Sequence, residues 1–109
     1  MAYDTFLASR VRDILGDNPE IGEREMFGGI AFLLSGNMAV GVSKDELMVR
    51  IDHDEYDEAL AKPGVRAFDM TGRPMRGWIL VAPEATAQLA DLRQWVETGL
   101  DFAATFPPK

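Results

Sequence analysis

Three short apolar runs lie between residues 30 and 51, separated by two sets of turn-forming residues. In the first, Ile30, Phe32 and Leu34 alternate with Ala31 and Leu33, so both faces are apolar. Such a strand is expected inside a sheet, covered on both sides. Ser35-Gly36-Asn37 then reads as a turn. Met38, Val40 and Val42 alternate with the small Ala39, Gly41 and Ser43. Lys44-Asp45-Glu46 makes the next turn, and Leu47, Val49 and Ile51 alternate with Met48 and Arg50. A period of two with tight connections predicts an antiparallel meander with one mainly apolar face. This block rules out an all-helical chain and sets what the flanking segments must cover.

Those flanks read as helices. Over residues 4–15, Tyr3, Leu7, Val11, Ile14 and Leu15 recur at helical spacing, Asp4 is a suitable N-cap, and Gly16 and Asn18-Pro19 end the run. Residues 54–62 predict a short helix capped by Asp54, with acids suited to its positive end and Pro63-Gly64 after it. Two further strands are expected near Arg66–Met70 and Gly77–Ala82, the second stopped by Pro83. A last helix over Thr86–Ala104 carries the stripe Leu89, Leu92, Val96, Leu100 and Ala103, with Trp95 beside it. The order is α-β-β-β-α-β-β-α. It predicts an α+β two-layer sandwich, with a mainly antiparallel five-stranded sheet covered by helices.

The 109 residues, without repeat or linker, fit a single domain over 1–109, and an apolar fraction of 47% suffices for one core. Cysteine is absent, which removes disulfides and thiol chemistry. Met1–Phe6 has neither a basic start nor a long apolar stretch, and no segment approaches the ~20 apolar residues of a bilayer span. A cytoplasmic, bacterial-type protein is expected. The net charge of −7 argues against direct nucleic-acid binding, which depends on neutralising phosphates, and against an anionic membrane surface. A protein partner with a basic patch stays compatible.

No catalytic constellation is visible. His53, the lone histidine, sits between Asp52 and Asp54 with no second nitrogen or sulfur ligand for zinc. The run Asp52, Asp54, Glu55, Asp57, Glu58 lacks the glycine and final glutamate of a calcium loop, whose places hold Asp57 and Pro63. Gly28-Gly29, Gly36 and Gly41 precede or interrupt strands, so they read as a bulge and a close strand approach rather than a dinucleotide loop. No serine has an evident base. Catalytic, metal and cofactor residues are therefore expected to be none. The six methionines read as core filler or, alternatively, an adaptable groove. In so acidic a chain, Arg73 and Arg76 around Pro74-Met75, next to Trp78 and joined by Arg50 from the less apolar face of its strand, form the one candidate cluster. It suits an anion or a partner's carboxylate; the competing reading pairs these arginines with the chain's own acids and puts Trp78 in the core.

Two segments carry a resemblance to a known family: Met26-Phe27-Gly28-Gly29-Ile30-Ala31-Phe32 with Gly36–Val42, and Thr71-Gly72-Arg73-Pro74-Met75-Arg76-Gly77-Trp78. With the leading helix, Leu47–Arg50 and the last helix running to Pro107-Pro108-Lys109, they resemble the N-terminal domain of the TfoX (Sxy) competence regulators along nearly the whole chain. The resemblance implies an α-β3-α-β2-α two-layer fold. It also implies a link to DNA-uptake competence, where the regulator acts with the cyclic-AMP receptor protein at promoters. Full regulators carry a second, C-terminal domain, which this chain is expected to lack. No catalytic residue set comes with the resemblance. The function expected is a non-enzymatic protein-interaction module related to transcription co-regulators. The alternative is a small-molecule or anion-binding domain using Arg50, Arg73 and Arg76, with weak enzymatic activity as its furthest form. Self-association through a strand edge or the last helix stays open.

Overall fold

Six strands form one antiparallel sheet in the computed structural model, which describes residues 3–26, 28–68 and 76–109, and for Met26 the backbone alone. Helix α1 (Thr5–Leu15) is followed by β1 (Ile21–Met26), β2 (Gly29–Leu34), β3 (Asn37–Ser43) and β4 (Glu46–Arg50). A 3-10 turn (His53–Glu55) leads into α2 (Tyr56–Leu60). Strands β5 (Val65–Ala67) and β6 (Trp78–Val81), a second 3-10 turn (Pro83–Ala85) and α3 (Leu89–Ala103) complete the chain. The spatial order is β1-β2-β3-β4-β6-β5, with every neighbouring pair antiparallel.

The α+β class and the covered sheet are as the sequence predicts, but the strand count is six rather than five. The additional strand is β1, which pairs with β2 from Ile21↔Leu34 to Met26↔Gly29. Its residues Gly22, Glu23, Arg24 and Glu25 carry no apolar alternation, because an edge strand needs little burial. Glu23 is held instead by Arg12 of α1, with Nε–Oε2 at 2.8 Å and Nη2–Oε1 at 2.9 Å. This pair pulls the Glu23 carboxyl below its ordinary range, first through the hydrogen bond from Arg12, and raises the Arg12 guanidinium through the same bond.

The central meander forms as its alternation requires. Ser35 and Gly36, at φ +49° and +86°, make the two-residue turn between β2 and β3. That twist is the one a tight hairpin favours. A register shift at Phe32/Leu33 is the bulge of this sheet. Gly28, where a bulge was expected, lies instead in the turn between β1 and β2 at φ +75°. Gly41 does mark a close approach, since a Cβ there would lie 2.8 Å from the Ile30 carbonyl oxygen.

One set of alternating residues, Ile30, Phe32, Val40, Val42, Leu47, Val49, Ile79 and Val81, shares a single core with Leu7 and Val11 of α1, Tyr56 and Ala59 of α2, and Leu92 and Val96 of α3. Each Val, Leu, Ile or Phe side chain among them contributes about 1.5–3 kcal/mol when fully buried. Asp4 caps α1 as expected, its Oδ1 accepting from Phe6 N at 2.9 Å and Leu7 N at 3.1 Å. Tyr3 lies outside the helix and bridges to Lys44. Asp52 rather than Asp54 caps the 3-10 turn, accepting from Asp54 N at 2.8 Å. Helix α3 starts at Leu89, three residues after the predicted Thr86, and Leu89 is 55% exposed. Its seat on the sheet is Gly99, where a Cβ would come within 2.5 Å of the Ala39 carbonyl oxygen.

Candidate functional site

Arg50 ends β4 opposite Trp78, the first residue of β6. Alternation along β4 turns Leu47 and Val49 into the core, which leaves Met48 and Arg50 on the other face. The Arg50 guanidinium carbon lies 5.5 Å from the Trp78 ring centroid, 5.7 Å from Phe102 and 4.4 Å from Phe106. Phe102 and Phe106 pack edge to face at 5.1 Å and 83°. Phe102 lies in the last turn of α3 and Phe106 just beyond it. The following tail is tied to the β2–β3 turn, where Asn37 Nδ2 donates to the Pro107 carbonyl at 3.0 Å and Lys109 N to the Ser35 carbonyl at 2.8 Å. Two distant parts of the chain, β6 and the end of α3, therefore place rings around one guanidinium.

That guanidinium makes no hydrogen bond and no ion pair with any described residue, although 18 acidic side chains outnumber 11 basic ones. No side-chain nitrogen or oxygen among the described residues is buried without a partner, so the Arg50 donors reach solvent. A guanidinium carries five N–H donors in one rigid plane and is attracted to nearby rings as a cation. Arg50 thus keeps donors open to solvent within a ring-lined corner.

Arg76 is differently placed. Its Nη2 donates to the His53 carbonyl at 3.1 Å and to Asp57 Oδ2 at 3.4 Å, and its guanidinium lies 4.9 Å from the Tyr56 ring centroid. It ties the residues leading into β6 to the 3-10 turn and α2, as the reading of internal pairing predicts. Arg73 and the rest of Thr71–Met75 lie outside the described residues, as does Phe27 of the first motif. Trp78 is half-buried beside Arg50 and is not a core residue. The described members of the expected cluster therefore separate, with Arg50 and Trp78 together and Arg76 engaged elsewhere. Phe102 and Phe106 are the site residues that sequence reasoning missed. Their four-residue spacing is the one that brings neighbouring helix residues together, but Phe106 lies just past α3 and the strand they meet is set by the tertiary fold.

The remaining candidates are occupied structurally. The ring of His53 lies over Gly77, where a Cβ would come within 3.0 Å of it. Among the described residues no three His, Asp or Glu side chains converge into a set that could hold a metal ion, and no helix is long and apolar enough to cross a membrane. A hollow of about 320 Å³ lies between Lys62, Pro63, Ala85 and the Asp91–Thr98 face of α3, walled by Trp95, and Lys62 Nζ lies 5.1 Å from that ring's centroid. Arg50 lines neither this hollow nor the one between α1 and β1.

The fold and the site define a small α+β domain whose most distinctive chemistry is a ring-bracketed arginine on its surface. The chain belongs to the TfoX N-terminal domain family, whose model matches residues 13–103. This is not a known family of enzymes. No curated protein and no solved structure matches the chain.

Proposed function

We propose that this domain is a non-enzymatic protein-interaction module of the competence-regulator kind, working in the cytoplasm through a protein partner and without direct DNA contact. The observation that carries the reading is Arg50, whose guanidinium lies within 5.7 Å of three ring centroids and whose donors have no acceptor among the described residues. Arginines beside tryptophan are frequent anchors of protein contacts. The net charge of −7 disfavours a nucleic-acid role, and the family supplies the link to transcription co-regulators. A transcription factor such as the cyclic-AMP receptor protein is the partner class the resemblance suggests.

The test is capture from bacterial lysate with tagged wild-type, Arg50→Gln and Arg76→Gln proteins. A transcription regulator retained by wild type and Arg76→Gln but lost from Arg50→Gln supports the reading. Tight sequence-specific DNA binding by the purified chain at physiological salt overturns it. The second reading is a small-molecule or anion-binding domain, favoured by the same free donors at Arg50. Arg73 belongs to it only through the sequence, and Arg76 is already paired with Asp57. A thermal-shift screen of metabolites, with stabilisation rising with ligand concentration, would support that second reading.

A further inference from the structure

Four arginines of this fold lie in ion pairs or among rings. Arg12 is held by Glu23, Arg66 by Glu46 and Arg76 by Asp57. Arg50 alone of these four is surrounded by rings and has no carboxylate among the described residues. The three paired sites show which anion a guanidinium takes in this chain. Carboxylate and guanidinium are both planar and match through two parallel N–H···O bonds. At Arg50 the guanidinium is present among rings, and a carboxylate would have to come from outside the described residues.

We propose that Arg50, bracketed by Trp78, Phe102 and Phe106, is the receptor for a single carboxylate from an acidic side chain of a partner protein. This rests on the interaction-module reading and gives it a chemistry. Three features select the ligand. The exposed donors of one guanidinium suit one planar monoanion. The surplus of seven negative charges opposes every incoming anion, and a phosphate dianion meets that repulsion twice over. The rings provide an apolar margin that shields the pair from water and strengthens it. The source follows from charge complementarity. A protein supplies the flanking contacts that a small acid lacks. An acidic residue set in a basic surface would match both the local cation and the overall charge of this chain.

The experiment uses the full chain, labelled with nitrogen-15, and sodium benzoate as the probe: one carboxylate on a flat apolar body. The expected result is a saturable shift of the Arg50 Nε–H and Trp78 indole N–H signals. The response to neutral benzamide should be at least about fivefold smaller, since the charge-assisted pair is absent. Arg50→Gln should abolish the benzoate response while its amide spectrum keeps the wild-type dispersion. Arg50→Lys keeps the charge but loses the fork and should weaken the response, and Arg76→Gln should leave it unchanged. An unresponsive Arg50, an equal response to benzamide, or a stronger response to inorganic phosphate each overturns the carboxylate assignment. The lysate capture separates this from the broader reading. Arg50-dependent capture with no benzoate response overturns the carboxylate and leaves the module standing. Benzoate binding with no Arg50-dependent protein keeps the chemistry and overturns the protein source.

Discussion

Arg50 and Arg76 lie beside one hydrogen-bonded strand pair, yet their corners are built on opposite principles. At the Arg76 corner the donors turn inward to the His53 carbonyl and Asp57. At the Arg50 corner three rings lie near the guanidinium and no described acceptor takes its donors. The first arrangement holds elements together, and its chemistry is complete within the chain. The second leaves the hydrogen bonding of the group to solvent. An arginine's role is therefore read from which part of its guanidinium the fold consumes, rather than from its charge or its exposure.

The strongest way to break this comparison is to disturb the seat that carries Phe102. Gly99→Val places side-chain atoms against the Ala39 carbonyl and the Val40 side chain. Overpacking of this kind should cost up to about 3 kcal/mol and scatter the ring bracket, a loss that denaturant titration would measure. Next comes Phe106→Ala, which removes the ring nearest Arg50. A loss of about 1 kcal/mol is expected, together with greater solvent exposure of the tail seen by hydrogen exchange. If stability and exchange stay at wild-type values, the bracket is incidental. Arg76→Gln should be milder still, below about 1 kcal/mol, because its partner Asp57 is largely exposed. High salt should narrow the difference from wild type in parallel unfolding curves.

The smallest effect belongs to a third corner, Arg12–Glu23. The Glu23 carboxyl lies below its ordinary value of 4.5 in the folded chain because Arg12 donates to it. Its contribution is thus fully present above that value and disappears as pH falls through the lower, folded one. Glu23→Gln should remove this part of the acid sensitivity and change unfolding above pH 5 by a few tenths of a kcal/mol at most, since the pair is exposed.

The elements that could be read from the residues are those whose burial leaves a period. Ile30–Ile51 repeats every second residue with turns between, and the core of the meander follows from that pattern. Ile21–Met26 leaves no such trace, since it pairs on one side only and its anchor is an ion pair with a helix. Leu89 continues a helical stripe in sequence but opens the helix and stays exposed, so the stripe overstated the buried face by one turn. Gly99 was legible in principle: with Leu92, Val96 and Ala103 it completes a helical spacing, and a glycine there signals backbone contact. Arg50 and Trp78 were visible as candidates, whereas their association with Phe102 and Phe106 depends on where α3 ends over the sheet. The separation of Arg76 from them depends on an acid 19 residues away.

The ring bracket also bears on the order in which the chain assembles. The β2–β3 and β3–β4 pairs close two-residue turns, so they can form early at little entropic cost. Arg50, Trp78 and Phe106 come from widely separated parts of the chain and meet only after β6 has docked on β4 and α3 on the meander. The Arg50 corner is therefore expected to close late in folding and to be among the first to open. A ligand joining there would act as a clasp on the last-formed contacts, and its binding would register as slower unfolding more than as faster folding.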